Sequence, residues 1–90
     1  MKEKKIVYLA SGDIQGVGFR DKVKEEAKKR GLSCSAENIP PPERKVRIEL
    51  EGKWIDVVKM ASWIRSIEGV DGLVSFPVGN KEASASKNNK

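Results

Sequence analysis

The segment Ser11-Gly12-Asp13-Ile14-Gln15-Gly16-Val17-Gly18-Phe19-Arg20 holds the residues best suited to chemistry in this chain. Three glycines within seven residues let the backbone turn tightly and bring its N–H groups up to a ligand. If a helix starts after them, its unpaired first-turn amides and the positive end of its dipole point to the same place. Such a junction is an anion cradle. Arg20 stands at its end with a planar, permanently charged fork that matches two phosphate oxygens. Spacing alone leaves two readings open: a phosphate site, or a glycine-rich turn with a solvated arginine. The segment is not a Walker loop, because no Gly-Lys-Ser/Thr follows. It also lacks the third glycine that a dinucleotide fingerprint needs at its fixed offset.

Composition narrows the chemistry further. The 90 residues include no histidine and one cysteine, Cys34. Ser-His-Asp and Cys-His nucleophiles are therefore excluded, as are imidazole metal ligands and an imidazole proton shuttle. A single cysteine excludes an internal disulfide, a CxxC redox pair and a cysteine-rich zinc site. What remains is backbone amides, Arg, Lys, carboxylates, carboxamides and hydroxyls. The net charge is +5, but residues 1–5 and 80–90 each carry three Lys and one Glu. Four of the five charges thus sit at the ends, and the body over residues 6–79 is nearly neutral. That distribution does not make the nucleic-acid footprint a basic face would make. No apolar run reaches the ~20 residues that span a bilayer, and the opening residues have no signal-peptide pattern.

The elements that must position the loop follow from the pattern on either side of it. Residues 5–14 are β-branched and aromatic and read as a mostly buried strand. Phe19, Val23 and Ala27 recur every four residues, the spacing of one helix face. Asp21 suits the first turn of that helix, Lys28, Lys29 and Arg30 suit its last, and Gly31 ends it. Residues 32–39 read as a second strand. Val46, Ile48 and Leu50 alternate with charged residues in a third, half-buried strand ended by Gly52. Residues 54–67 form a second helix with Trp54, Val57, Val58, Ala61, Ile64 and Ile67 as its apolar stripe. On this reading Trp54 joins the core and Trp63 is partly exposed. Residues 73–78 make a last strand, placed at a sheet edge because Pro77 cannot donate to a ladder. The order βαββαβ, with right-handed crossovers, gives a ferredoxin-like α/β sandwich: an antiparallel sheet with two helices on one face. The domain spans residues 1–79, and residues 80–90 are too polar to order themselves.

With the elements in place, Gly12-x-Ile14-Gln15-Gly16-Val17-Gly18-Phe19-Arg20 resembles the acylphosphatase signature Gly-x-Val-Gln-Gly-Val-x-Phe-Arg, with Ile for Val as the one swap. The likeness continues through Ala27, Gly31-Leu32 and Asn38-Ile39-Pro40, with Asn38 at the family's separation of 18 residues from Arg20. A strand ending in Glu51-Gly52 also fits. The resemblance implies hydrolysis of small acyl phosphates without a metal, a cofactor or a covalent intermediate. Residue by residue, it implies that Arg20 holds the phosphate together with the backbone amides of Gln15, Gly16, Val17, Gly18 and Phe19, and that Asn38 positions the attacking water. Read alone, an Asn before Ile-Pro-Pro-Pro is a turn residue bonding its own backbone. Its coincidence with the Arg20 loop is what points to catalysis.

The chain departs from the family at several points. Asp13 and Glu37 replace commonly basic residues. Pro40-Pro41-Pro42-Glu43-Arg44 replaces a short Asp-Gly turn, and the Gly-Pro after the second helix is absent. The family's aromatic final strand gives way to the polar tail, so a truncated sheet edge is expected. These departures keep a second function in view, a non-enzymatic phosphate-binding or regulatory domain built on the same cradle. A third, an RNA-binding sheet, is poorly served by a central strand without aromatics. Cys34 reads as a buried filler. The expected protein is a cytoplasmic monomer whose partner is a small acyl phosphate, with no nucleic-acid or membrane partner.

Overall fold

In the computed structural model, residues 3–15 and 18–77 are described. Gly16, Val17, the polar tail and the expected truncated edge beyond Pro77 lie outside them. The order is β1 (Glu3–Gly12), α1 (Phe19–Lys29), β2 (Ser33–Ile39), β3 (Lys45–Lys53), α2 (Trp54–Arg65) and β4 (Val70–Pro77). The sheet runs β2-β3-β1-β4, and each neighbouring pair is antiparallel. β4 is therefore an edge strand, where a proline costs no ladder bond.

The period of two along the strands sorts the residues between two faces. Ile6, Tyr8 and Ala10 from β1 and Val46, Ile48 and Leu50 from β3 form one buried layer. Phe19, Val23 and Ala27 from α1 and Val57, Met60, Ala61 and Ile64 from α2 close over it. Both helices thus cover the same face. On the open face, Val7 pairs with Phe76 and Leu9 with Val74. Beside them Glu49 accepts from Lys5 at 3.2 Å and from Arg47 at 3.5 Å. The hydrogen bond from Lys5 is the main cause holding the Glu49 carboxyl below its ordinary range, and partial burial opposes it. Among the described residues, no helix is long and apolar enough to cross a membrane.

The α1 stripe falls where its spacing predicts. The α2 stripe does so in part: Val57, Ala61 and Ile64 are buried and Ile67 packs against the core, as does the partly buried Trp63, but Trp54 and Val58 are exposed and Met60, outside the expected stripe, is fully buried. Gly52 does not end β3 but lies within it, where a Cβ would collide with the Leu32 side chain. That close approach lets the segment after α1 lie flat on the strand.

Candidate active site

β1 ends at a kink. Its register with β4 shifts between Ser11 and Gly12. Gly12 has φ 134°, and a Cβ there would overlap the Gly69 carbonyl oxygen. The next amide, of Asp13, donates to that same oxygen at 2.9 Å. Only glycine lets the two backbones meet this closely, so the turn between α2 and β4 braces the start of the loop. The loop then buries Ile14 and reaches Gly18, whose left-handed φ of 77° turns the chain into α1.

No side chain caps α1. Lys22 N–H donates to the Gly18 carbonyl and closes the first helical turn. The amides before it are the donors that a helix start leaves without intrahelical partners. Phe19 is buried and anchors this turn to the core, while Arg20 is exposed beside it. An open cavity of about 210 Å³ lies here, lined by Ile14, Gly18, Phe19, Arg20 and Asp21. Uncapped amides, the positive helix end and a guanidinium therefore face one space, an arrangement suited to a phosphate.

The β2–β3 hairpin comes to the same end of the sheet. Ala10 near the end of β1 pairs with Val46, and Asn38 near the end of β2 pairs with Val46 from the other side. Val46 is in the core layer, so the pleat turns Asn38 toward the helix-covered face. Asn38 is exposed and forms no side-chain hydrogen bond among the described residues. Glu37 pairs with Arg47 and belongs to the opposite face, so the carboxylate next to Asn38 in sequence is turned away from it. Asp13 is exposed at the loop's start.

Gln15 joins the two regions. Its side-chain NH₂ donates to the Ile39 and Lys45 carbonyls, both at 2.9 Å. The sequence places Gln15 in the cradle but does not show that its carboxamide is spent on the hairpin. Nor does it show Gly69 as a partner of the loop, although a glycine on each side of the contact is a signal of close backbone approach. Gly16 and Val17 lie outside the described residues.

Cys34 is half-buried and packs against the core, and burial pushes its thiol up to about 11. It stays protonated and is no nucleophile at neutral pH. Tyr8 is likewise raised by burial. A shallow groove of about 250 Å³ on the open sheet face is lined by Lys5, Ser33, Ser35, Glu49 and Glu51. It is larger than the loop cavity but lacks clustered amides, and its lysine is already paired with Glu49.

Comparison with known proteins places this chain in a family. The acylphosphatase family model matches residues 6–77. An acylphosphatase from Chlorobaculum tepidum is 34% identical over 86 residues, which is 96% of this chain and 91% of that protein. Among solved structures, an acylphosphatase from Bacillus subtilis superposes with a TM-score of 0.74 at 24% identity, covering 86% of each chain. One from Coxiella burnetii gives 0.75 at 22% identity, covering 84% of this chain and 81% of that one. Full-length HypF in a phosphate- and nucleotide-bound form gives 0.76 at 25% identity over 86% of this chain, which corresponds to 10% of HypF. The chain, with its glycine-rich loop running into an uncapped helix, belongs to the acylphosphatase family.

Proposed function

We propose that this acylphosphatase hydrolyses the carboxyl–phosphate bond of small acyl phosphates, with the phosphoryl group held by the amides of residues 15–20 and the Arg20 guanidinium, and the attacking water positioned by Asn38. The observation that carries the reading is the convergence of the uncapped start of α1, with exposed Arg20 in its first turn, and the strand end that bears Asn38. Water attacks phosphorus, and the bond from phosphorus to the acyl oxygen breaks. The electron pair leaves on the carboxylate. The water's proton passes to a phosphate oxygen, so the products are a carboxylate and inorganic phosphate, and no protein base is needed. The substrate is already activated. The protein's part is to hold the reactants in line and to stabilise charge on the phosphoryl oxygens.

The test is hydrolysis of a small acyl phosphate by the purified protein in excess chelator. Turnover is expected to persist with the chelator. Asn38→Ala is expected to lower kcat by about 10²-fold, the scale for losing one group that orients a reactant. Wild-type turnover no faster than the spontaneous reaction, together with measurable phosphate binding, would instead support a non-enzymatic anion-binding domain. The observation that favours that second reading is acidic residues near the loop: Asp21 lines the cavity, and Asp13 is exposed at the loop's start.

A further inference from the structure

Gln15 is half-buried in the loop, and its side chain turns away from the cradle cavity toward β2 and β3. Its two acceptors belong to Ile39 and Lys45, which face each other as the last pair of the β2–β3 ladder. One carboxamide NH₂ has two protons, and two carbonyls at 2.9 Å use both. The orientation of the amide is fixed by the same chemistry, since a flipped carboxamide would set its oxygen against two carbonyl oxygens. Ile39 directly follows Asn38. The loop's start is fastened to Gly69 and its far end continues as α1. The Gln15 tie joins the span between them to the strand that carries Asn38.

We infer that Gln15 is a positioning residue: through its two hydrogen bonds to the mouth of the β2–β3 hairpin it sets the separation between the phosphate-holding loop and Asn38. The inference rests on the reading of the site given above. Its physical basis is that a displaced water must still meet phosphorus in line with the leaving oxygen, so small shifts between the two halves cost rate even when each half stays intact. Removing the side-chain donors leaves every backbone amide and Arg20 in the chain, so the expected change is in the place of Asn38 relative to them.

The experiment compares wild type with Gln15→Met and Gln15→Glu. Both variants keep the side chain's length and remove both donors, and an ionised Glu would also face two carbonyls. kcat is expected to fall by about 10²-fold, the scale for a misplacement near 1 Å. The affinity for inorganic phosphate, read as competitive inhibition, stays near that of the wild type. In an Asn38→Ala background the same substitution costs far less, because residues acting as a unit are non-additive. The inference is overturned if phosphate affinity falls in step with kcat, which would make the Gln15 side chain itself part of phosphate binding. An unchanged kcat with only a lower melting temperature would make it a fold brace and also overturn it, as would an undiminished effect in the Asn38→Ala background. If neither variant folds, the wild type still decides. Both Gln15 side-chain amide protons should exchange slowly by NMR, and exchange at the rate of a free carboxamide removes the tie. If Arg20→Ala and Asn38→Ala leave hydrolysis at the wild-type level, the functional reading fails and takes this inference with it. If those two lose activity while Gln15→Met keeps full kcat, only the inference falls.

Discussion

The two helices begin alike in sequence and differently in space. α1 opens Phe19-Arg20-Asp21 and α2 opens Trp54-Ile55-Asp56, and no side chain caps either helix. Yet Phe19 is 3% exposed and Trp54 is 43% exposed. The difference lies in the connection. Six residues separate β1 from α1, and left-handed Gly18 turns the first aromatic ring inward. α2 follows β3 with no loop, from the extended Lys53, and its first turn faces outward. An uncapped helix start is therefore no anion site on its own. The reading proposed for α1 rests on what surrounds its start: a glycine-rich loop leads into it, Arg20 carries a charge in its first turn, and the end of β2 carries Asn38.

Substitutions at matched positions test that comparison. The second residue of each helix should separate the two most sharply. Arg20→Ala is expected to lower kcat/KM by about 10³-fold, as for a lost donor to developing charge. Ile55→Ala should leave the kinetics unchanged. Steady-state assays on both variants decide it, and equal losses would erase the distinction between the two helix starts. The first residues come next. Phe19→Ala should cost about 3 kcal/mol in urea unfolding, as for a buried ring lost from a packed core. Trp54→Ala should cost about 1 kcal/mol or less, since much of its surface is already wet. The smallest effect is a gain. Lys53→Ser supplies the cap that α2 lacks, at a residue already extended, and should stabilise the protein by about 1 kcal/mol with no change in rate.

The sequence is more legible in α1 than in α2 for a plain reason. In α1 charged residues occupy nearly every position outside Phe19, Val23 and Ala27, so only one stripe can be buried. α2 carries Trp54, Ile55, Val57, Val58, Met60, Ala61, Trp63 and Ile64, enough apolar residues to satisfy several faces. Its buried set of Val57, Met60, Ala61 and Ile64 is the one that packs into the core shared with β1, β3 and α1. The same limit applies to the site. The motif announces an anion loop ending in Arg20, and spacing marks Asn38. Neither reveals that the Gln15 carboxamide reaches across 24 and 30 positions to two backbone carbonyls.

Local chemistry along the chain was sufficient for the βαββαβ order, the edge position forced by Pro77, the glycine-rich entry into α1, and the exclusion of histidine- and cysteine-based catalysis. These follow from periodicity, backbone freedom and residue inventory, all of which act over a few neighbouring residues. Packing settled which side of α2 is buried, that Gly12 must meet Gly69, and that the loop is tied to the hairpin mouth. Those are contacts between segments distant in the chain. Their geometry depends on sheet register and on the angle at which each helix enters, and no single stretch of residues encodes either one.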